Sequence, residues 1–574
     1  MPSPGTCTTV CLTTGSPFPG NTGHYDRRYI VSLGPGQRTR NAPCLERRGA
    51  LLTLAKEAAV HFPPVRRRNN GPRLLVLTTA VALIAAGCGG GGGDAGGRSA
   101  DQSLIIGMDH VTPNYDPISA TTTSDYTYWR FVYDTLVSTD NGAPEPWAAE
   151  SFEAIDAKHW RFKLREGVTF TNGEPLDAEA VRYTFQRALD DKKTPWRVRI
   201  EALQKMEIID PLTIDFYLST PVGNWPTRTS VVWLVPPKYT QENPGALVTK
   251  PIGSGPFKLD SFSPGEKAVL SPNADFWGTV PQLKRVELRS VPEESTRVSA
   301  LLAGDIDVAY RVLPDFADQV EAGGKKLVSV PSGQSSSIFF QTTTNTPLKD
   351  VRVRQAIDYA IDKKALLDSI TQGYGKDLSG QLVGKDSVGY NADLKSRPYD
   401  PDKAKELLKE AGYPNGVEVA FDYPLGRYYR DKEICQAISG YLDAVGIKVK
   451  QNPMESGAWL DRLYAGSWGP INYWSIQDAP AYDLSWTLEI FRSDNIRKID
   501  ADKKLDQMLD QSFTITDTKE RGDYLAELSA YAQEQAFFVA FHSDPGLYAV
   551  DPSVQGVEFL PSTYINLFDA KRTG

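Results

Sequence analysis

The chain has 574 residues, 41% hydrophobic and 23% charged, enough to bury more than one core. Its net charge is -8, but the first 87 residues carry 11 Lys/Arg and 3 Asp/Glu, so the remainder holds 52 basic and 68 acidic residues, a net of -16. Such an acidic body argues against nucleic acid as a partner and against lying flat on anionic lipid, because both need a basic surface.

Residues 1–64 are rich in Thr, Gly, Pro and Arg and show no clear periodicity. They read as an unstructured preface, with translation expected to start near Val65. Arg66-Arg67-Arg68 and Arg73 then form a positive region, Leu74 to Ala86 is an apolar run, and Ala85-Ala86-Gly87 precede Cys88. Positive, apolar and small residues in that order predict an export signal over 65–87, and the run is short for a bilayer span. Cys88 after small residues resembles the lipobox of bacterial lipoproteins, which implies that its thiol is acylated and becomes the mature N-terminus. The alternative is an ordinary secretory signal with an incidental Cys. Gly89 to Gly97 cannot pack, so 88–100 reads as a lipidated Cys with a flexible tether. Of the other cysteines, Cys7, Cys11 and Cys44 precede the body and Cys435 falls in a helical pattern, so no disulfide framework is expected.

In the body, Leu104 to Met108 predicts a buried strand, and Asp125 to Thr135 a helix. Trp160 to Leu164 alternates as a half-buried strand, and Asn172-Gly173 signals a turn. Asp177 should cap a helix running to about Leu189, with Ala180, Val181 and Phe185 on one face. Thr213 to Leu218 alternates again. Further on, Asp350 and Asp362 precede helical patterns, and Asp400-Pro401 opens a helix that ends near Ala411 before Gly412. Ile434, Ile438, Leu442 and Val445 recur at helical spacing, Ile447 to Lys450 alternates, and helices fit 502–512 and 519–535. Strands and helices interleave throughout, which predicts a mixed α/β (α+β) chain.

Several of these stretches together resemble one family. They are Phe162 to Phe170 with Asn172-Gly173 and Asp177 to Val181, then Pro251-Ile252-Gly253-Ser254-Gly255-Pro256-Phe257, and Gly304-Asp305-Ile306-Asp307. Val353 to Ile357 with Ala360-Ile361-Asp362 follows, then Tyr399-Asp400-Pro401 through Glu410 to Pro414, and Gly446-Ile447. In this order they resemble the peptide/nickel (dipeptide/oligopeptide-binding) class of extracytoplasmic solute-binding proteins of ABC importers. The resemblance spans roughly 101–570, with Gly253-Ser254-Gly255 standing where Gly-Thr-Gly is more usual. It implies a type II periplasmic-binding-protein fold with two hinged lobes. By analogy the lobe I core takes 101–137, 249–340 and 541–574, an inserted subdomain 138–248, and lobe II 341–540. The crossings are expected near 338–340 and 539–541.

The resemblance also implies a binding function without catalysis: capture of di- or oligopeptides and delivery to a membrane permease, by a monomer anchored outside the cytoplasm through Cys88. Other solutes (a nickel chelate, an oligosaccharide) and peptide sensing remain alternatives, and an exported hydrolase is disfavoured. In Trp474-Ser475-Ile476-Gln477-Asp478, Asp478 lies where relatives place an acid for a peptide ammonium, a role that a cleft carboxylate suits. The stretch is about one residue shorter than in well-known dipeptide binders, so Gln477 competes for that place, and a solvated loop acid is the bland alternative. Tyr473 and Trp474 would wall a pocket or pack in the core. Arg427 matches an Arg that takes the ligand carboxylate, or is a surface Arg at a helix entry. Tyr115, in the loop after the first strand, would face the cleft or cover the core.

Catalytic signals are weak. His110, His159 and His542 are far apart, no His-x-x-x-His or Cys-x-x-Cys pair offers a metal site, and no Gly-x-Ser-x-Gly or phosphate loop appears. No metal and no cofactor are expected.

Overall fold

The computed structural model describes residues 102–119, 125–192, 194, 197–330, 332–478 and 480–573, all within one compact unit, Gly91–Gly574. The preface, the export signal, Cys88 and the glycine tether lie outside the described residues.

The first strand, Ser103–Met108, is the middle of a seven-stranded sheet and runs parallel to both neighbours, Arg285–Ser290 and Val308–Ala309. Burial on both faces explains its unbroken apolar run. Leu104, Ile106 and Met108 enter one core with the aromatics of helix Asp125–Val132, and Ile105 enters a second with Val298, Leu301 and Ile306.

A four-stranded antiparallel sheet, made by Ala149–Asp156, His159–Leu164, Thr213–Leu218 and Leu203–Asp210, forms a separate layer. Its inward residues Trp160, Phe162, Leu164, Ile214 and Phe216 pack on helix Ala178–Asp190 through Val181 and Phe185. Asp177 caps that helix as its residue type predicts, accepting N–H bonds from Glu179 and Ala180, both at 3.0 Å. Asp362, Asp400 and Asp502 cap helices Lys363–Thr371, Pro401–Glu410 and Lys503–Ser512 in the same way.

The third layer is a five-stranded sheet in the order Ile447–Glu455, Val417–Leu425, Ile471–Gln477, Gln334–Phe340, Phe538–Ser543. The first three are mutually parallel and the last two join antiparallel. One face buries Ile338, Phe340, Phe421 and Tyr473 under helices Val351–Ala360 and Asp431–Ala444, with Cys435 fully buried as a small apolar residue. The other face buries Phe339, Ile476 and Phe538 under helices Lys503–Ser512 and Thr518–Glu534.

The chain passes between the seven- and five-stranded sheets twice. The stretches 338–340 and 539–541, expected to make these crossings, sit inside the five-stranded sheet, where Ile338 pairs with Val539 and Phe339 with Phe538. Among the described residues the crossings lie nearer the seven-stranded sheet, at 330, 332–333 and 544–546. There they run side by side: the Val330 N–H donates to the Gly546 carbonyl at 2.8 Å, and the Asp544 N–H to the Gln334 carbonyl at 2.9 Å. A Cβ on Gly546 would stand 2.2 Å from the Val330 carbonyl oxygen, so this close pairing requires glycine.

Candidate functional site

Three parallel strands of the five-stranded sheet end at one edge, at Leu425, Glu455 and Gln477. Strand Gln334–Phe340 begins at the same edge, directly after one crossing. The carboxyl ends of parallel strands are where open α/β sheets bind ligands, because loops diverge there and leave a crevice.

Arg427 follows the first of these ends. The buried Asp431 carboxylate shapes its loop by accepting the N–H groups of Gly426, Arg427 and Tyr428 at 3.1, 2.8 and 3.0 Å. The Arg427 guanidinium then donates to Tyr428 Oη and to Ser456 Oγ, both at 3.1 Å, so it bridges two strand ends. It also lies 5.4 Å from the Tyr428 ring centroid and 5.7 Å from that of Trp459. Among the described residues no carboxylate lies within ion-pair distance of Arg427.

Trp474 joins the same cluster, with its ring 6.3 Å from Trp459 and 5.4 Å from Phe339, and Arg497 stands 5.5 Å over it. Two expected site residues from separate stretches are thus linked through Tyr428 and Trp459, which sequence reading missed. The aromatic spacing around Trp459 reads only as helix packing, so it gave no separate signal.

Gln477 pairs with Gln334 at the end of its strand, and Asp478 follows. Asp478 is buried; its Oδ2 accepts Ser387 Oγ–H at 2.7 Å and the Gly384 N–H at 3.4 Å, tying the 384–387 loop to the edge. Tyr473 points into the core, where its hydroxyl is 2.6 Å from Ser336 Oγ. Tyr115 is fully buried in the first core, edge-on to Phe262 at 4.9 Å. Both tyrosines therefore stand in core packing.

Across from this edge stand residues of the other two layers. Pro480 accepts the Thr139 hydroxyl through its carbonyl, and Ala481 and Trp486 join the first core. Asn224 Nδ2 donates to Ser485 Oγ at 3.2 Å, and the Gly223 N–H to the Phe513 carbonyl at 2.7 Å. Glu489 receives Arg199 Nη1 at 3.0 Å and also Arg228, while Arg199 stacks 3.5 Å over Trp486. Burial holds the Arg199 guanidinium down at about 10.

The profile "Bacterial extracellular solute-binding proteins, family 5 Middle" matches residues 143–495. The chain belongs to this family. Among its relatives, heme-binding protein A of Haemophilus influenzae is 28% identical over 477 residues, covering 75% of this chain and 85% of that protein. The nickel-binding periplasmic protein of Escherichia coli is 29% identical over 370 residues, covering 59% and 69%. The glutathione-binding protein of the same species is 25% identical over 493 residues, covering 82% and 94%.

Solved structures share the fold. The ABC transporter-associated periplasmic binding protein DppA of Helicobacter pylori in complex with the peptide STSA matches with a TM-score of 0.68 at 24% identity, covering 82% of this chain and 98% of that one. NikA from Brucella suis in complex with Fe(III)-EDTA gives 0.72 at 24% identity, covering 82% and 100%. The mixed α/β fold is thus of the type II periplasmic-binding kind, and the chain is a family 5 solute-binding protein of the peptide/nickel class of ABC importers. Its family is extracytoplasmic and binds substrates.

Proposed function

We propose that this protein captures short peptides for an ABC permease, closing two lobes around them at the carboxyl edge of the five-stranded sheet, without catalysis. The observation that carries this reading is the edge itself. Arg427 has no carboxylate partner among the described residues, an aromatic wall adjoins it, and buried acids stand beyond. A planar guanidinium suits a peptide's terminal carboxylate, and a carboxylate suits its ammonium. That a solved structure of the same fold holds the peptide STSA supports the choice of ligand.

The protein works as a monomer, held outside the cytoplasm by lipid on Cys88, so that a tethered lobe pair can reach its permease. Calorimetry with tri-alanine and native mass spectrometry of the freshly purified protein test the ligand. Saturable binding with no change in the peptide supports the reading; cleavage of the peptide, or a co-purified solute that is no peptide, overturns it. Replacement of Cys88 by Ala should release the protein from the membrane fraction, and a variant that stays attached would refute lipid anchoring.

A further inference from the structure

The edge carries a second buried acid besides Asp478. Asp544 is the first residue after strand Phe538–Ser543, at a crossing between the sheets. The two acids flank the start of strand Gln334–Phe340: the Asp478 N–H donates to the Gly333 carbonyl at 3.0 Å and the Asp544 N–H to the Gln334 carbonyl at 2.9 Å.

Their side chains are used differently. Asp478 is engaged with the 384–387 loop. Asp544 is 3% exposed; its Oδ2 accepts Ser475 Oγ–H at 2.8 Å, and among the described residues its Oδ1 has no hydrogen-bond partner. An ionised carboxylate so deeply buried needs a cation to offset its lost hydration. None of the neighbouring groups supplies one. His542 Nδ1 is 3.9 Å from Oδ1, but that nitrogen lies 3.1 Å from the Ser543 carbonyl, which only a protonated Nδ1 satisfies, and burial keeps the ring neutral. Arg311, reaching over from the seven-stranded sheet, is paired with Asp109 at 3.4 Å and acts on Asp544 only at longer range. Tyr428 and Tyr429, from the loop that carries Arg427, and Tyr473 complete the titratable surroundings, and none is cationic. Burial accordingly pushes the Asp544 carboxyl up to about 7, the behaviour of an acid short of a counter-ion.

We infer that Asp544 is a ligand-binding residue, the carboxylate that receives a primary ammonium of the captured solute, with Asp478 positioning the loop beside it. This rests on the solute-capture reading above and adds to it a chemical requirement: the solute carries a free amine, seated at the junction of the lobes. A cation arriving at Oδ1 would contact the junction from which both sheets diverge, so ligand charge and lobe closure would be coupled at one residue.

The test measures binding of tri-alanine, N-acetyl-tri-alanine and n-butylamine to the full protein and to Asp544→Asn, which keeps the Ser475 contact. Tri-alanine should bind the wild type about 100-fold more tightly than it binds D544N, and acetylation should cost the wild type a similar factor. The acetylated peptide should be indifferent to D544N. The acetylation arm needs no variant, so it tests the need for a free amine even if D544N fails to fold, and Asp544→Ser, a second variant without the carboxylate, then tests the residue. Equal binding of free and acetylated peptide overturns the ammonium site and leaves peptide capture standing. If n-butylamine binds in an Asp544-dependent way while both peptides do not, the peptide reading falls and the ammonium site stands. If none of the three binds, both fall.

Discussion

At the scale of single residues, burial decides which side chains can act. Arg427 is exposed and has no carboxylate partner among the described residues, so its charge is available to a ligand. Replacing it with Ala should weaken tri-alanine binding by about 1.5–3 kcal/mol, the worth of a hydrogen bond to a charged group. A peptide amidated at its C-terminus should lose nothing further in that variant; calorimetry showing equal losses for both peptides would remove Arg427 from the ligand. Asp544 and His542 have opposite proton demands. Burial holds His542 down at about 4 against its ordinary 6.5, so unfolding takes up a proton between those values and stability falls as pH drops through that window, by up to about 3 kcal/mol. Burial holds Asp544 up at about 7 against 3.8, so its contribution is complete below 3.8 and is lost as pH rises to 7, by up to about 4 kcal/mol. Between about pH 4 and 6.5 the two slopes cancel. Removing the acid in D544N should uncover the histidine, giving a steeper acid loss than wild type in urea titrations at pH 6.5, 5.5 and 4.5. Parallel curves for the two proteins would contradict the opposition.

At the scale of elements, short local signals set the helix ends, and tertiary contacts decide which of them matter most. Asp177 caps its helix from a partly exposed position, and Asp177→Ala should cost about 1 kcal/mol. Asp483 also caps a helix, Leu484–Leu488, but it is fully buried and paired with an equally buried Arg521 from helix Thr518–Glu534. That guanidinium holds the Asp483 carboxyl below the usual carboxylate range despite burial. Arg521→Ala leaves the charge unpaired in the core and should cost about 3–5 kcal/mol. Chemical denaturation separates the two cases, and a similar small loss for both would show that the pair is not desolvated as its burial implies. The spacing of Asp483 and Arg521 in sequence carries no hint of this pairing, since it forms only when two helices stack on one sheet face.

At the scale of the whole molecule, the two lobes meet through more than the crossings. Glu489 receives Arg199 and Arg228 from the layer of the four-stranded sheet, and the buried Arg228 has no other carboxylate partner among the described residues. Glu489→Gln should loosen this contact by about 2 kcal/mol and raise the open fraction. Small-angle scattering should then give a larger radius of gyration without ligand, and tri-alanine affinity should fall. An unchanged radius, with unchanged affinity, would mean that the contact holds nothing shut.

The local order of this protein was legible in its residues. The first strand, the alternating strands near 160 and 213, and the helices opened by Asp177, Asp362, Asp400 and Asp502 stand where their patterns put them, because caps and periodicity act over a few residues. The family-like stretches, taken in order, likewise named the class of protein. Arg427 and Trp474 were singled out separately. That Tyr428 and Trp459 join them, that Tyr473 and Tyr115 turn into cores, and that the crossings fall beside Val330 and at 544–546, depends on strand pairing and burial across long separations. Asp544 shows this most plainly: in the chain it is one acid after a histidine and a serine, and only folding strips it of water while leaving one of its oxygens without a partner among the described residues. Desolvation belongs to the packed molecule, so no stretch of sequence can display it.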